Sequence, residues 1–357
     1  MSGSSLDGLD IAFVEFHENG GNWTYEMIQT ECYPYSDEWV QRLKNAINLP
    51  AADYQVLHAE YGHFLGRQVN TFIHQHHLQY QVSLVASHGH TTFHMPERGM
   101  TAQLGDGAAI AAETKLPVVT DLRALDVALG GQGAPIVPIG EKLLWSDFGA
   151  FLNLGGIANI SFYKEGVEGP VAYDICPANR VLNMLAQAAG KPFDEDGLLS
   201  ASGTIHEAVL DRLNALDYYA RNGPKSLAND FGTDTVYPIL VQAGLPVPDA
   251  LRTYIAHIVY QTGQAVRHFP FPLRHPRMLV TGGGAFNAFL VKELRSHLGS
   301  LGIELLIPGQ ELVAYKEALI MALIGVLRWR QEYNVLATVT GASRHSIGGA
   351  LWTGEEA

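Results

Sequence analysis

Cysteine is scarce: Cys32 and Cys176 are the only two among 357 residues. They lie far apart in sequence, so a disulfide-stapled scaffold is excluded and reduced thiols in a reducing compartment are expected. Basic residues are in deficit too, 23 Lys plus Arg against 36 acids, for a formal net charge of −13. A field of that sign repels phosphate backbones, which excludes nucleic acid as a bulk partner. A nucleotide stays open, because backbone N–H groups and a metal ion can hold its phosphates locally. Long apolar runs are also lacking. The most apolar stretch, residues 318–327, falls short of the roughly 20 residues that span a bilayer. The opening MSGSSLDGLD has neither a basic n-region nor an apolar h-region. A cytoplasmic protein with no membrane partner is the expectation. Neither the P-loop pattern G-x-x-x-x-G-K-[ST] nor the dinucleotide pattern G-x-G-x-x-G occurs.

What is present suits a globular chain with two domains: 47% hydrophobic residues, 17% charged, and a length too great for one ordinary core. Residues 10–16 (DIAFVEF) read as a strand, 18–22 (ENGGN) as a turn and 23–33 as the returning strand. Helical stretches over 37–47 and 54–77 precede a buried strand at 82–87, a helix opening at Asp106 and the strand LPVVTDL. Residues 130–138 (GGQGAPIVP) break the composition and mark the expected crossing between domains 1–135 and 136–357. The same grammar then restarts. Strands at 148–154, 159–163 and 171–175 lead to helices at 180–189, 205–216 and 250–269, and a strand at 278–281 to a helix at 287–298. A strand at 304–307 and an apolar helix over 313–330 follow. Strands, helices, strand and helix stated twice are the grammar of a duplicated α/β fold with a ligand cleft between its halves.

Three glycine-rich turns carry candidate chemistry. In the first, residues 2–10 (SGSSLDGLD), small residues admit an oxyanion close to the backbone, hydroxyls donate to phosphate, and Asp7 can hold Mg²⁺ directly or through water. The bland alternative is a polar tail. The second, residues 154–160 (LGGIANI), also reads as a plain tight hairpin. The third, residues 279–287 (LVTGGGAFN), runs from a strand through Gly282, Gly283 and Gly284 into a helix, aiming free N–H groups at a ligand such as adenosine. Together the turns resemble the loops of the actin-like ATPase superfamily, with its ribonuclease H-like domains.

Further blocks are similar to the anhydro-N-acetylmuramic acid kinase family: SHGHTTFH (87–94), LGDGAAIA, TDLRALDVALGGQGAP (120–135), DICPAN (174–179), FDEDGLLSASG (193–203), PKS (224–226), EAL (317–319) and VTGAS (339–343). They stand in the family's order from residue 2 to 343. The resemblance implies a duplicated actin-like fold, two domains flanking an active-site cleft. It also implies ATP and Mg²⁺ as cofactors, a small sugar as partner, and a homodimer. The family opens the bridge between C1 and O6 of anhydro-N-acetylmuramic acid with water while O6 takes the γ-phosphoryl group, within cell-wall recycling. Its chemistry needs a base for the water and stabilised phosphoryl charge.

The match makes Asp174 that base, against a helix N-cap as the structural alternative, and Glu317 a second active-site carboxylate, against a solvated pair with Lys316 at a helix start. Phosphate and nucleotide contacts fall on Gly3, Ser4, Ser5, Leu6, Asp7, Gly8, Leu9 and Asp10, on Gly155, Gly156 and Asn159, and on Gly282, Gly283 and Gly284, with Asp7 the metal carboxylate. His88, His90, Arg123 and Asp126 line the sugar; a guanidinium fork suits a lactyl carboxylate, and a structural Arg–Asp pair is the alternative. His74, His76 and His77 read as solvated imidazoles rather than metal ligands. The sequence also departs from the family. Ser4 stands for Thr, His90 for Gln, and Ile175, Cys176 and Ala178 where Thr, Gly and Gly are common; LANDFG after PKS differs as well. The family has a strand ahead of its first loop, which here begins at residue 2, so a start further upstream is expected. A regulator of the same fold without turnover, or a plain hexose kinase, are the competing functions.

Overall fold

The computed structural model describes residues 1–3, 6–164, 169–221, 225–228, 230–269 and 275–354. Ser4 and Ser5 of the first loop and Pro224 of the PKS block lie outside the described residues. The chain divides into two compact units, Met1–Trp145 with Tyr315–Ala357, and Ser146–Ala314. The boundary expected at 135/136 therefore falls short of the first crossing, and the C-terminal segment returns to the first unit.

In that unit β1 (Gly8–Asn19) and β2 (Asn22–Pro34) form an antiparallel hairpin. After α1 (Asp37–Asn45) and α2 (Ala51–Gln75) come β3 (Val85–Ala86), a second hairpin of β4 (His90–Met95) and β5 (Met100–Leu104), α3 (Gly107–Thr114), β6 (Val118–Thr120), α4 (Ala124–Ala128) and α5 (Pro138–Leu144). The second hairpin lies between the buried strand expected at 82–87 and the helix opening at Asp106. The second unit holds β7 (Ala150–Leu154), β8 (Ile157–Phe162), β9 (Val171–Pro177), α6 (Asn179–Gln187), α7 (Leu198–Ser202), α8 (Glu207–Asn214), α9 (Asp217–Ala220), α10 (Tyr237–Gln242) and α11 (Val247–His268). It closes with β10 (Arg277–Thr281), α12 (Ala288–Ser300) and β11 (Glu304–Leu306). The chain ends through α13 (Gln310–Trp329), α14 (Ala337–Thr340) and β12 (Ala350–Trp352).

The second unit's sheet runs β11-β10-β7-β8-β9: an antiparallel meander of β7, β8 and β9, with β10 and β11 added in parallel. Its central strands β7 and β8 are mostly apolar and buried, interrupted by Asn153, Asn159 and Ser161. Leu152, Ile160, Phe162, Leu182, Tyr254 and Leu294 belong to one buried cluster, and a fully buried apolar side chain of this size contributes about 1.5–3 kcal/mol. In the first unit the parallel pair β3–β6 carries β12 on its far edge, and the core gathers Leu43, Tyr61, Leu104, Ile110 and Val118.

Local signals explain the element ends. Ser36 caps α1 by accepting from the Trp39 N–H, and Asp37 and Glu38 sit in its first turn where the helix dipole favours acids. Asn287 caps α12 in the same way, its side chain 2.9 Å from the Leu290 nitrogen. The apolar face of α13 holds it to the first unit: Ile320 fills the space above Gly140, and Ala86 of β3 lies against Gly325. No helix among the described residues is long and apolar enough to cross a membrane.

Candidate active site

In the second unit two of the glycine-rich turns come together. Gly155 and Gly156 join β7 to β8, and the turn after β10 lies against them: a Cβ on Gly282 would sit 2.6 Å from Asn153 Oδ1 and 2.8 Å from the Leu154 carbonyl carbon. Gly282 also has φ +83°, a left-handed backbone that side chains resist. Asn179 stitches the seam. Its Nδ2 donates to the Leu154 oxygen at 2.9 Å and its backbone N–H to the Gly155 oxygen at 3.0 Å. Beside the seam, Thr281 is buried with its Oγ1 lacking any hydrogen-bond partner. A buried hydroxyl in that state calls for an acceptor. Gly282→Ala is therefore expected to cost about 1–3 kcal/mol of stability and to weaken ATP binding, as read by denaturant titration and by calorimetry.

Asp174 lies within β9, several residues before α6, whose N-cap is Ala178. It is thus not a helix cap. Across the sheet it faces Asn159, next to an irregularity at Ala158/Asn159 that leaves Ile175 as the extra residue. Such a bulge re-aims a neighbouring side chain. The half-buried carboxyl of Asp174 accepts from the Leu227 N–H at Oδ2, at 2.9 Å. Burial raises its pKa, and the Leu227 bond offsets only part of that. The backbone is pinned separately: its N–H donates to the Lys225 oxygen, and the Tyr218 hydroxyl donates to its carbonyl at 2.6 Å. Ile175, Cys176 and Ala178 pack into the unit's core, so these departures from the family pattern fill interior space.

In the first unit, the described part of the N-terminal loop folds back on β1. Ser2 bridges Leu9, and Met1 and Asp10 exchange backbone bonds of 2.7 and 3.0 Å. Leu6 is buried with φ 57°, Gly8 and Leu9 are buried, Gly3 is half-buried and Asp7 is exposed. Asp7 Oδ1 accepts from the Gly8 N–H at 3.1 Å. Half-buried Asp10 has its pKa raised, chiefly by burial and further by the charge of Asp7; a hydrogen bond with Cys32 opposes this. Two carboxylates that feel each other in this way, on a loop of small residues, fit a dication that keeps most of its ligands as water and phosphate oxygens. Among the described residues no group of three or more His, Cys, Asp or Glu forms a dedicated metal cage.

The sugar-site candidates sit in the same unit. His88 is buried and neutral: Nδ1 donates to the Gly89 oxygen at 3.0 Å, and Nε2 accepts from Arg123 Nε at 2.8 Å. Burial, with the Arg123 charge, lowers its pKa to about 3. Arg123 Nη1 donates to the Gly133 oxygen, and the guanidinium feels the charge of Glu317. His90 opens β4 with Nδ1 3.4 Å from Ser2 Oγ, which accepts from the Tyr35 hydroxyl at 2.8 Å; Tyr61 follows at 2.6 Å. The SHGHTTFH block is thereby tied to the first glycine-rich loop.

Two expectations change. Asp126 does not pair with Arg123 and is only 1% exposed. Its Oδ2 accepts from the Gly133 N–H at 2.8 Å and its Oδ1 from the Thr340 hydroxyl at 2.7 Å. The Gly131 backbone approaches so closely that a Cβ there would lie 2.3 Å from Oδ2. Asp126 organises the GGQGAP loop, because its oxygens are spent on protein donors. Glu317 is exposed on α13 and not at its opening, while Lys316, expected as its solvated partner, is buried against Glu141 at 2.8 Å. Glu317 also acts on the Met1 ammonium, whose pKa is lowered by burial.

A profile of anhydro-N-acetylmuramic acid kinases matches residues 1–354. The chain belongs to the anhydro-N-acetylmuramic acid kinase family. Members with that name include one from Rhizorhabdus wittichii, 35% identical over 82% of this chain and 81% of its own. One from Gloeobacter violaceus is 34% identical over 96% and 95%, and one from Vibrio parahaemolyticus 31% over 99% and 97%. Membership of this kinase family makes the chain an enzyme that uses ATP, and accords with the duplicated actin-like α/β fold expected from sequence.

Residues beyond the sequence argument also enter the site. Asn179 and Thr281 at the glycine seam, Leu227 on Asp174, and Thr340 on Asp126 had signals only in hindsight. Asn179 and Thr340 stand inside family-like blocks, while Leu227 falls in the LANDFG segment that departs from the family.

Proposed function

We propose that this chain opens the 1,6-anhydro bridge of anhydro-N-acetylmuramic acid with water and phosphorylates O6 from ATP, giving N-acetylmuramic acid 6-phosphate in peptidoglycan recycling. Asp174 takes a proton from the water as its oxygen bonds to C1 and the C1–O6 bond breaks; O6 accepts the γ-phosphoryl group and ADP leaves. The observation that carries this reading is the Asp174 carboxyl: half-buried, off the helix start, with a pKa raised by desolvation and only partly offset by the Leu227 N–H. A base needs a pKa nearer neutrality than an ordinary aspartate provides.

Backbone N–H groups of the Gly155–Gly156 and Gly282–Gly284 turns are the donors for nucleotide and phosphate, with Asn159 and the N-terminal loop through Asp10 beside them in role. Mg²⁺, when bound, would be held by Asp7 with Asp10 nearby and would neutralise phosphoryl charge. Arg123, set by neutral His88, receives the lactyl carboxylate; His90 adds a sugar hydrogen bond. Glu317 orients water or sugar. A cytoplasmic homodimer is part of the same reading, and light scattering tests the dimer.

Turnover in ¹⁸O-water with ATP, Mg²⁺ and the anhydro sugar tests the whole reading. Phosphate on O6 with one labelled oxygen at C1 is the expected product. Phosphorylation without label points to a plain hexose kinase, and ATP binding without product to a regulator. The pH dependence carries a sign. Because the folded pKa of Asp174 is raised, the acid limb of turnover lies above the ordinary aspartate value of 3.8. Between those two values the folded state binds more protons than the unfolded one, so this group's contribution to stability falls as pH rises. Rate profiles and melting curves of wild type and Asp174→Asn check both, since the variant loses the limb and the slope.

A further inference from the structure

Asp174 stands on the last strand of the second unit's sheet, so one edge of β9 has no neighbouring strand. A free strand edge leaves main-chain groups in want of partners. At Asp174 those partners come from two short stretches of chain, 218–221 and 225–227, neither of them a strand. The Tyr218 hydroxyl donates to the Asp174 carbonyl at 2.6 Å, and the Asp174 N–H donates to the Lys225 carbonyl at 3.0 Å. The Leu227 N–H then reaches the carboxylate itself, at Oδ2. On the other edge the ladder with β8 is irregular at this point, with Ile175 as the extra residue. A bulge loosens the register that would otherwise set the direction of a side chain, so the outer grip falls to these two stretches.

What ties the stretches to each other is the Lys225 side chain. Its Nζ donates to the Tyr218 oxygen at 3.1 Å and to the Arg221 oxygen at 2.9 Å. Both carbonyls lie at the end of α9, a helix so short that it leaves its last carbonyls without intrahelical partners. The ammonium also sits 4.5 Å from the centre of the Tyr218 ring, within reach of a cation–π attraction. That ring is buried, and it packs on Tyr219 and Phe231 at 5.5 and 5.6 Å. Tyr219 meets His257 of α11 at 4.9 Å in turn. The hydroxyl aimed at Asp174 is therefore anchored in the interior of the unit, and Lys225 carries that anchorage across to 225–227.

We propose that Lys225 is a positioning residue for the hydrolytic step: by locking Tyr218 to the stretch 225–227, it fixes the direction in which the Asp174 carboxylate meets the attacking water. The proposal rests on the reading of Asp174 as the base. Lys225 touches neither water nor sugar in this role and acts through Asp174 alone. A reacting group displaced by about 1 Å can lose on the order of a hundredfold in rate, and the latch removes that freedom.

Lys225→Met keeps the aliphatic stem and removes the donor. Its kcat is expected to fall at least about tenfold, while KM for the anhydro sugar and Kd for ATP stay within about twofold. Lys225→Arg returns a cation to the ring and donors to the two carbonyls, and should bring kcat back to within about threefold of wild type. Tyr218→Phe keeps the ring and its packing and loses only the hydroxyl; kcat should fall at least about threefold, again without a change in KM or Kd. Wild-type kcat in both Lys225→Met and Tyr218→Phe would overturn the proposal. So would an equal loss in Lys225→Met and Lys225→Arg, or a joint loss of kcat, KM and ATP affinity, since either marks a general structural role. A raised sugar KM at constant kcat would overturn it as well, by making Lys225 a substrate contact. Asp174→Asn separates the two levels. If that variant is inactive, those outcomes strike the latch alone; if it turns over, the base is lost and the latch with it.

Discussion

Asp174→Asn is expected to lower kcat by at least about 10³-fold, near the upper range for losing a general base. The change keeps the shape of the side chain. It also keeps an oxygen to accept from Leu227, and leaves the Tyr218 and Lys225 bonds to the backbone untouched. ATP affinity, measured by calorimetry, should stay within about threefold, because the role proposed for Asp174 is exerted in the transition state. Product should still be absent after prolonged incubation. Asp174→Asn turnover within about tenfold of wild type would remove Asp174 from the role of base.

Lys316→Met should give the largest loss of stability. Lys316 and Glu141 are 7% and 4% exposed at their side chains and meet at 2.8 Å. The ammonium also lies 5.7 Å from the Trp145 ring, whose indole N–H donates to the Tyr25 hydroxyl at 3.2 Å. Removing only the cation leaves a carboxylate in a low-dielectric interior, at a cost of about 3–5 kcal/mol. In a chain of this length that corresponds to a fall in Tm of about 4–7 °C. The double variant Lys316→Met with Glu141→Leu removes both charges, and should recover most of the loss because no buried charge is then left uncompensated. A double variant no more stable than the single one would mean that other contacts of the pair carry the effect.

Local grammar carried far in this sequence. The β1–β2 hairpin announced itself by alternation around ENGGN, and the glycine turns by residues able to take the backbone of Gly282. Long-range pairings were not legible in the same way. Lys316 looked like the solvated neighbour of Glu317 because its partner Glu141 stands 175 positions away. Asp174 looked like the end of a strand because the sequence does not show that β9 continues past it through an extra residue to Pro177. Arg123 and Asp126 invited each other by proximity, yet each found a partner elsewhere, His88 and Thr340. Charged and polar groups bond wherever burial demands a partner, and that demand is set by tertiary packing rather than by spacing along the chain.

The clasp at Asp126 makes the last stretch of the polypeptide a working part of a loop whose anchoring carboxylate stands 214 positions earlier. Thr340 and the Gly133 amide share one carboxylate, and Gln132 donates its backbone N–H to the Thr340 oxygen at 2.8 Å. A fragment ending before α14 would retain every residue of TDLRALDVALGGQGAP and still lack the brace that shapes it. Trimming or fusing at the C-terminus is therefore an intervention on the proposed sugar loop.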